Sequence, residues 1–430
     1  MDQQTFEGDD VTTTHPHTQE EPTISFNPLD PVFLADPYPF YRALREFAPI
    51  HFEESLGGWV FTRYDDVAQM LRENRGLRPP VTDYLFAAVP QAQRDEMAEF
   101  ERMLGAALPF ANPPHHTRLR KLVSMGFTAR AIEAIRPRVQ QITDELLDRI
   151  EANGGGDIIS ELARPLPSTV VLEFIGVPSK DHARMMELAT RVIELLAIRG
   201  ATDAPAVAAA AHASMNEFGD YMEGLIEARR RDPGEDMLSA MVTASDAQGN
   251  LRNEEIVLSA MSLLVGSEST TNFLGNGTLA LLRNPSQYRL LAENPSLAES
   301  ATEELLRYDP PAPIIAPQVA SDDHEIGGQL IKQGELMYPV LGAANRDPAR
   351  YADPDRLDLR RQPSGVLSLS VGIHFCTGAA LARLEAQIYF ATLTRRLPHL
   401  RIDPDAEAPA FHADPLLRGL ESLNVCINPA

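Results

Sequence analysis

Hydrophobic positions recur with helical spacing through most of residues 115–307. The segment ARAIEAIRPRVQQITDELLDRIEA repeats apolar residues every three to four positions, as an amphipathic helix does. Residues 253–283 are apolar on nearly every face, with Asn253 as a cap and Asn284 before a proline as the stop, which predicts a buried helix. A final helix is predicted over residues 379–396.

Strand-like segments are concentrated near the two ends of the chain. Beyond residue 309, prolines, glycines and the short pieces APQVA, HEIGG and ELMYPV replace the helical pattern. Residues 50–53 and 59–62 predict two further strands, whereas residues 76–114 show weak periodicity and predict a long functional loop. The predicted fold is mostly α with a smaller β-rich portion and no clean domain boundary.

Composition narrows the class of protein. The 430 residues are 44% hydrophobic, and 38 Lys plus Arg against 61 Asp plus Glu give a net charge of −23. Such a surface repels nucleic acid and anionic membranes, so neither is an expected partner. Residues 1–25 are polar and acidic and predict a disordered tail, followed by one domain over residues 26–430. With neither a secretory signal nor a membrane-spanning segment in the sequence, we expect a cytoplasmic protein.

The segment SLSVGIHFCTGAALARLEAQI contains Cys376, one of only two cysteines. Two thiols exclude a disulfide framework and Cys-x-x-Cys metal clusters. A lone cysteine is most often a small buried apolar residue. Cys376, however, lies just before a helical run, where unpaired N–H groups favour a thiolate. Gly372 and Gly378 on either side would let a flat ligand approach closely.

The pattern Gly372-x-His374-x-Cys376-x-Gly378, followed by Ala-Leu-Ala-Arg, closely resembles the haem-binding loop of the cytochrome P450 family. The resemblance implies the P450 fold, with haem b (iron protoporphyrin IX) between the 253–283 helix and the helix after Cys376. It implies that Cys376 is the iron ligand, whose electron donation favours O–O cleavage.

The start of this loop departs from the family pattern. Leu369 and Ser370 occupy positions where the family usually has Phe and Gly. Leu369 and Gly378 are expected to contact the haem. A changed neighbour beside the sulfur predicts a different redox potential, and Ser370 predicts a slightly different turn.

Two pairs of residues support the resemblance. Glu304 and Arg307 are one helical turn apart; such pairs are mostly solvated, but the family buries one with a structural role. His116 and Arg120 share one helix face, which by itself could be an exposed basic turn. By resemblance they bind haem propionates.

The same resemblance assigns two further propionate contacts. His374 is expected to be a third donor. Gln318 is at the position where the family often has Arg, so one charge-assisted contact is expected to be missing.

Within the 253–283 helix, Gly266 and several hydroxyl residues interrupt an apolar run. Without other context, they indicate a slightly bent core helix. The resemblance is to the family's Gly-x-Glu/Asp-Thr pattern, in which a hydroxyl and a carboxylate deliver protons to dioxygen. Glu268 matches the acid, Ser269 occupies the position usually held by Thr, and Thr270 follows it; all three are candidate catalytic residues.

The predicted function is a haem-thiolate monooxygenase that converts RH, O₂, two electrons and two protons into ROH and water. A separate ferredoxin-type protein would supply electrons, docking on a basic patch formed by four residues: Arg118, Lys121, Arg346 and Arg350. Two alternatives remain open: a non-hydroxylating haem-thiolate enzyme (a peroxygenase, dehydratase or oxidative coupling catalyst) and a haem-based sensor.

The substrate is expected to be a hydrophobic small molecule of secondary metabolism or catabolism. Five parts of the chain are expected to contact it: residues 76–114, residues 197–212, Val265, Ile314 and Ile315.

Overall fold

The computed structural model describes residues 30–73, 75–196, 203–247, 249–414 and 416–427. The predicted tail, residues 1–25, and residues 197–202 of the predicted substrate segment lie outside these ranges. The α-helices within them are α1 (Pro31–Ala35), α2 (Tyr38–Phe47), α3 (Tyr64–Arg72), α4 (Val81–Tyr84), α5 (Gln91–Glu96), α6 (Ala98–Ala106), α7 (His115–Ser124), α8 (Ala129–Asn153), α9 (Pro165–Ile175), α10 (His182–Leu196), α11 (Ala204–Arg231), α12 (Met237–Thr243), α13 (Asn253–Arg283), α14 (Pro285–Glu293), α15 (Ala298–Tyr308), α16 (Leu341–Ala344) and α17 (Ala379–Arg396).

The strands form four small sheets. They are β1 (Ile50–Glu53), β2 (Gly58–Phe61), β3 (Gly76–Leu77), β4 (Gly155–Asp157), β5 (Ser245–Asp246), β6 (Gly249–Asn250), β7 (Gln318–Ala320), β8 (His324–Ile326), β9 (Gln329–Ile331), β10 (Leu336–Pro339), β11 (Arg401–Ile402) and β12 (Asn424–Cys426). The largest sheet has the order β1-β2-β10-β7-β3. β10 runs parallel to β2, and the other neighbouring pairs are antiparallel. This sheet joins the N-terminal segments to the chain that follows α15.

Helix α13 is buried along most of its length, as its apolar sequence predicts. It begins at Asn253, so the expected cap residue is the first helical residue instead. The Glu255 carboxylate accepts a hydrogen bond from the Arg252 N–H at 2.8 Å, which satisfies a donor just before the first turn. Gly277 lets α17 approach closely, since a Cβ there would be 2.4 Å from the Phe390 ring.

Two sequence predictions need correction. Residues 76–114 do not form one long loop, because they contain β3, α4, α5 and α6. The first two of these helices are too short to show periodicity, and α6 buries Phe100 and Leu104 on one face. The second predicted strand begins one residue earlier, at Gly58.

Among the described helices, none combines the length and the apolarity that crossing a membrane requires.

A buried ion pair on α15 organises the chain around the cysteine segment. Glu304 and Arg307 are both fully buried, with two hydrogen bonds of 2.7 and 2.8 Å between guanidinium and carboxylate. Arg307 also donates to the carbonyls of Asn345 and Pro354, at 3.1 and 2.8 Å. The Glu304 carboxylate accepts bonds from the Asp358 N–H and the Arg361 guanidinium. Because all these partners lie between residues 345 and 361, the pair fixes that irregular segment against α15.

The same segment reaches the cysteine loop through Asn345. Its amide donates to the Ser368 hydroxyl at 2.8 Å, and its side-chain oxygen accepts from the Leu367 N–H at 2.9 Å. The Ser368 hydroxyl in turn donates to the Leu306 carbonyl on α15. The loop that carries Cys376 is therefore attached to α15 in two ways. Asn345 connects it to the segment held by Arg307, and Ser368 bonds directly to the Leu306 carbonyl.

Glu304→Gln should lower the free energy of unfolding by about 3–5 kcal/mol, because the Arg307 charge would remain buried without its counterion. Urea unfolding followed by circular dichroism measures the change. The matched control is Glu303→Gln, whose partly exposed pair with Arg383 should be worth about 1 kcal/mol or less. Equal losses in both variants would contradict a special role for the buried pair.

Candidate functional site

A cavity of about 310 Å³ lies between α13 and the cysteine loop, and residues of α7, α9, α15 and α17 also line it. The predicted site residues that line it are His116, Arg120, Ser269, Thr270, Leu369, His374, Cys376 and Gly378. Most of the remaining lining is apolar, with Leu263, Phe273 and Leu381 among its members. One cavity thus collects residues that are 262 positions apart in the sequence.

Backbone contacts hold the Cys376 sulfur at this cavity. The Cys376 N–H donates to the Leu369 carbonyl at 2.9 Å, and the Gly378 N–H donates to the sulfur itself. Arg120 reaches across from α7, with its guanidinium donating to the Phe375 carbonyl at 2.6 Å and to the Thr377 hydroxyl at 2.9 Å. The sulfur therefore has a fixed position three residues before α17.

Burial governs the protonation of this thiol. Loss of solvation raises the pKa of Cys376, while the Gly378 N–H and the charges of Arg120 and Arg383 lower it, and the net direction is upward. The predicted stabilisation of a thiolate by the helix N-terminus is thus outweighed by burial. A thiolate here needs a cation beside it, and a metal ion in the cavity would supply one. The other cysteine, Cys426, lies in β12.

At one end of the cavity two imidazole rings lie side by side, their centroids 4.4 Å apart. His116 is 2% exposed, and neither of its ring nitrogens has a hydrogen-bond partner among the described residues. Burial lowers the pKa of His116, and it lowers the pKa of His374 to about 3, helped by the charge of Arg78. Both rings are therefore neutral near pH 7, and each presents one N–H. The buried ring nitrogens of His116, which have no partner among the described residues, suit an anionic ligand such as the carboxylates of a haem.

Helix α13 exposes its polar stretch to the same cavity. A Cβ added to Gly266 would have no atom within 4 Å, so the backbone there faces open space. Ser262 and Ser267 donate back to the carbonyls of Leu258 and Leu264, as Ser and Thr in helices commonly do. The structure gives no hydrogen bond for the hydroxyls of Ser269 and Thr270 within the described residues. These two hydroxyls can therefore serve a ligand.

Glu268 lies between the cavity and the protein surface. It is not among the cavity-lining residues, and its carboxylate lies 3.7 Å from the guanidinium of Arg164. The Arg164 side chain is 44% exposed, against 16% for Glu268. The acid next to Ser269 thus lies near a partly exposed arginine and outside the cavity lining.

Three predicted site residues lie elsewhere. Gln318 is buried in β7 with its side chain over Gly76, outside the cavity lining. Ile314 packs with Phe33 and Tyr41 in a core cluster, and Ile315 packs against another cluster beside the sheet. The chain after α15 enters the sheet at once, which removes these side chains from the cavity; Pro311 lines it instead.

Val265 lines a second cavity, of about 110 Å³, next to the first. Pro109 and Ser262 border both cavities. The other lining residues of the second cavity are apolar and come from α6, α10, α11, α13 and the segment around Leu85 and Phe110.

Two ionisable residues of the main cavity were missed by sequence reasoning. Arg78 belongs to the weakly periodic 76–114 segment, which gave no signal for it. Glu385 is fully buried on α17, burial raises its pKa to about 8, and its Oε2 atom has no partner in the described chain. The signal available in the sequence for Glu385 was a single acid in the mostly apolar segment ALARLEAQI.

The predicted docking patch does not form as a unit. Arg346 is buried, with its guanidinium 3.3 Å from the centre of the Tyr38 ring and 4.0 Å from that of Tyr308. Arg118 is paired with Glu255 at 3.0 Å and with Asp246 at 3.6 Å. Of the four residues, only Lys121 and Arg350 are exposed.

In this mostly helical chain, the loop with Cys376 and the polar stretch of α13 line one cavity. A family model described as cytochrome P450 matches residues 89–419. The chain therefore belongs to the cytochrome P450 family, whose cofactor is a haem with a thiolate ligand, and it is a P450 monooxygenase.

Named relatives are similar to this chain over nearly its whole length. The chain is 37% identical to the cytochrome P450 monooxygenase PikC of Streptomyces venezuelae, covering 95% of each chain. It is 37% identical to the 6-deoxyerythronolide B hydroxylase of Saccharopolyspora erythraea, covering 91% of this chain and 96% of the relative. The crystal structure of CalO2 superimposes with a TM-score of 0.86 at 32% identity, covering 94% and 99% of the two chains.

The turn before the cysteine has a glycine-like backbone at a residue that is not glycine. Ser370 has φ +60°, in the left-handed region, and its N–H donates to the Leu367 carbonyl at 2.7 Å. Side chains other than Gly adopt this region at a cost of roughly 1–2 kcal/mol. Ser370 therefore carries local strain at this turn.

Ser370→Gly should raise the free energy of unfolding by about 1 kcal/mol, because glycine adopts a positive φ without a Cβ clash. Chemical denaturation of the holoprotein measures the change. Ser370→Ala is the control, since it removes the hydroxyl and keeps the Cβ, so it should give no stabilisation. A gain of the same size in Ser370→Ala would contradict the assignment to backbone strain.

Proposed function

We propose that this chain inserts one atom of dioxygen into a hydrophobic small molecule, with haem b bound through Cys376. The observation that carries the proposal is one cavity lined by both Cys376 and the unpaired hydroxyls of Ser269 and Thr270. Haem with a thiolate ligand supplies dioxygen activation, and the thiolate favours O–O cleavage. The remaining roles belong to side chains of this protein.

The polar end of the cavity anchors the cofactor. His116 and His374 each offer an N–H to a propionate, and Arg120 adds a cation at the edge of the cysteine loop. Leu369 and Gly378 lie on either side of the sulfur, where the first supplies apolar contact and the second donates its N–H to the sulfur. Such donation to the sulfur tunes the electron density that reaches the metal.

Protons reach the cavity through α13. Ser269 and Thr270 hold hydroxyl protons at the cavity surface, and the adjacent Glu268 takes up protons near Arg164 at the protein surface. A carboxylate that alternates between its Arg164 partner and the neighbouring hydroxyl can transfer protons inward without opening the cavity to bulk water.

The substrate occupies the second cavity and extends to the first. The lining of the second cavity has no charged side chain, and its one polar residue, Ser262, is bonded to its own helix. This favours a neutral, apolar substrate. The relatives' names support a role in secondary metabolism, since one of them is a polyketide biosynthesis cytochrome P450 of Bacillus subtilis.

Electrons come from a small acidic redox protein of the ferredoxin type. The surface next to the cysteine loop offers the exposed Lys121. Two exposed apolar side chains accompany it: Met125, four residues further along the chain, and Phe375 in the cysteine loop. A positive charge beside an apolar surface suits a weak, transient partner with complementary charge.

The proposal predicts that ¹⁸O from ¹⁸O₂ enters the product as a single atom. A compound library screened for a low-spin to high-spin Soret shift identifies a substrate, and turnover with NADPH, ferredoxin and ferredoxin reductase is then analysed by mass spectrometry. A product two mass units heavier supports oxygen insertion. Label that enters only from H₂¹⁸O₂ would establish a peroxygenase, and a product without label would establish a dehydratase or coupling catalyst. Carbon monoxide binding without electron use on any compound would support the sensor alternative.

Ser269→Ala should lower the product formed per NADPH consumed by about tenfold, because a proton donor at the cavity surface is lost. Coupling is measured as product against NADPH with the substrate from the screen. Ser267→Ala removes a hydroxyl from the same helix and the same cavity, but one committed to the Leu264 carbonyl, so its coupling should stay unchanged. Unchanged coupling in Ser269→Ala would assign proton delivery to Thr270 or to water.

A further inference from the structure

Strand pairing places Arg78 beside Gln318. β3 and β7 are antiparallel, with Gly76 opposite Ala320 and Leu77 opposite Val319. Continuing that register by one residue brings position 78 opposite position 318. Gln318 is the residue that replaces an arginine common in the family, and its neighbour across the ladder is an arginine.

The two side chains go to different places. The Gln318 side chain packs against Gly76 of β3. A Cβ added at Gly76 would be 1.9 Å from the Gln318 side-chain oxygen. Arg78 lines the main cavity together with His116, Arg120 and His374. The positive charge at this edge of the sheet therefore comes from β3 and not from β7.

Arg78 is held firmly in this position. Its guanidinium donates to the Ala316 carbonyl at 2.9 Å, two residues before Gln318. Its backbone exchanges two hydrogen bonds with the Asn112 side chain, at 2.8 and 3.0 Å. Asn112 also accepts from the His116 N–H at 2.9 Å, so Arg78 is tied to the helix that carries His116. A preorganised guanidinium binds a carboxylate with little further loss of conformational freedom.

We propose that Arg78 binds a haem propionate and replaces the charge that Gln318 cannot supply. Haem b has two propionates, and the arginines that line the cavity are Arg78 and Arg120. Arg120 is engaged with the Phe375 carbonyl and the Thr377 hydroxyl beside the cysteine, so Arg78 is the cation nearer the sheet. This inference rests on the proposed haem cofactor and adds a contact that the family pattern does not predict.

The rate at which ferric haem transfers from the holoprotein to excess apomyoglobin tests the proposal. Arg78→Met should release haem about tenfold faster, because one charge-assisted hydrogen bond to a propionate is lost. Arg75→Met is the matched control: its side chain pairs with Asp322 at the surface, at 3.8 Å, and its haem release should match the parent protein. The double variant Arg78→Met with Gln318→Arg should return haem release to within about threefold of the parent rate.

Reconstitution with haem dimethyl ester separates a propionate contact from a structural one. Esterified propionates carry no charge, so Arg78→Met and the parent protein should release this haem at equal rates. Acceleration of both haems by the same factor, or no acceleration of either, would overturn the proposal. Arg78→Gln serves if Arg78→Met does not fold, with the same expected contrast between the two haems. Absence of any Soret band from the parent protein would instead refute the proposed cofactor.

Discussion

The buried Glu304–Arg307 pair is the interaction on which the cysteine side of the molecule depends. Two charges removed from water lose several kcal/mol of solvation each, and their attraction offsets this only when every remaining donor and acceptor has a partner. Here those partners are backbone groups of residues 345–358 and the Arg361 side chain. Because the pair can be satisfied only when that segment is folded against α15, it couples the irregular chain before Cys376 to the helical core. Through Asn345 and Ser368 the coupling reaches the loop itself.

That coupling explains how a strained, half-buried loop persists. Ser370 keeps a left-handed backbone, and burial opposes ionisation of the Cys376 thiol. Neither feature is favourable on its own. Both are maintained because the residues on either side are fixed by hydrogen bonds to α15 and α7, so relaxation would break buried contacts elsewhere. A metal ion bound beside the sulfur, as proposed, would offset the cost of forming the thiolate.

Local patterns predicted the helices well, and non-local contacts explain the differences. The bounds of α17 and the burial of α13 follow from periodicity and stop signals within each segment. Which side chain enters a cavity depends on strand pairing and packing between distant segments. Arg78 lines the cavity and Gln318 does not, at a place where β3 lies against β7. Arg346 was expected on the surface as part of the docking patch. It is buried because Tyr38 and Tyr308 enclose it from two distant helices.

Ser269 differs from the threonine usual at this position of α13 in its rotamer freedom more than in its chemistry. Thr has a β-methyl that restricts χ1, while Ser lacks it and can rotate its hydroxyl toward either its own helix or the cavity. Ser262 and Ser267, on the same helix, have taken the bond to the helix. Ser269 has not, and it lies next to Glu268, whose carboxylate extends toward Arg164. A hydroxyl free to turn can accept a proton from the carboxylate side and present it to the cavity. In the absence of the methyl, the neighbouring Thr270 supplies a second, sterically more restricted hydroxyl at the same wall.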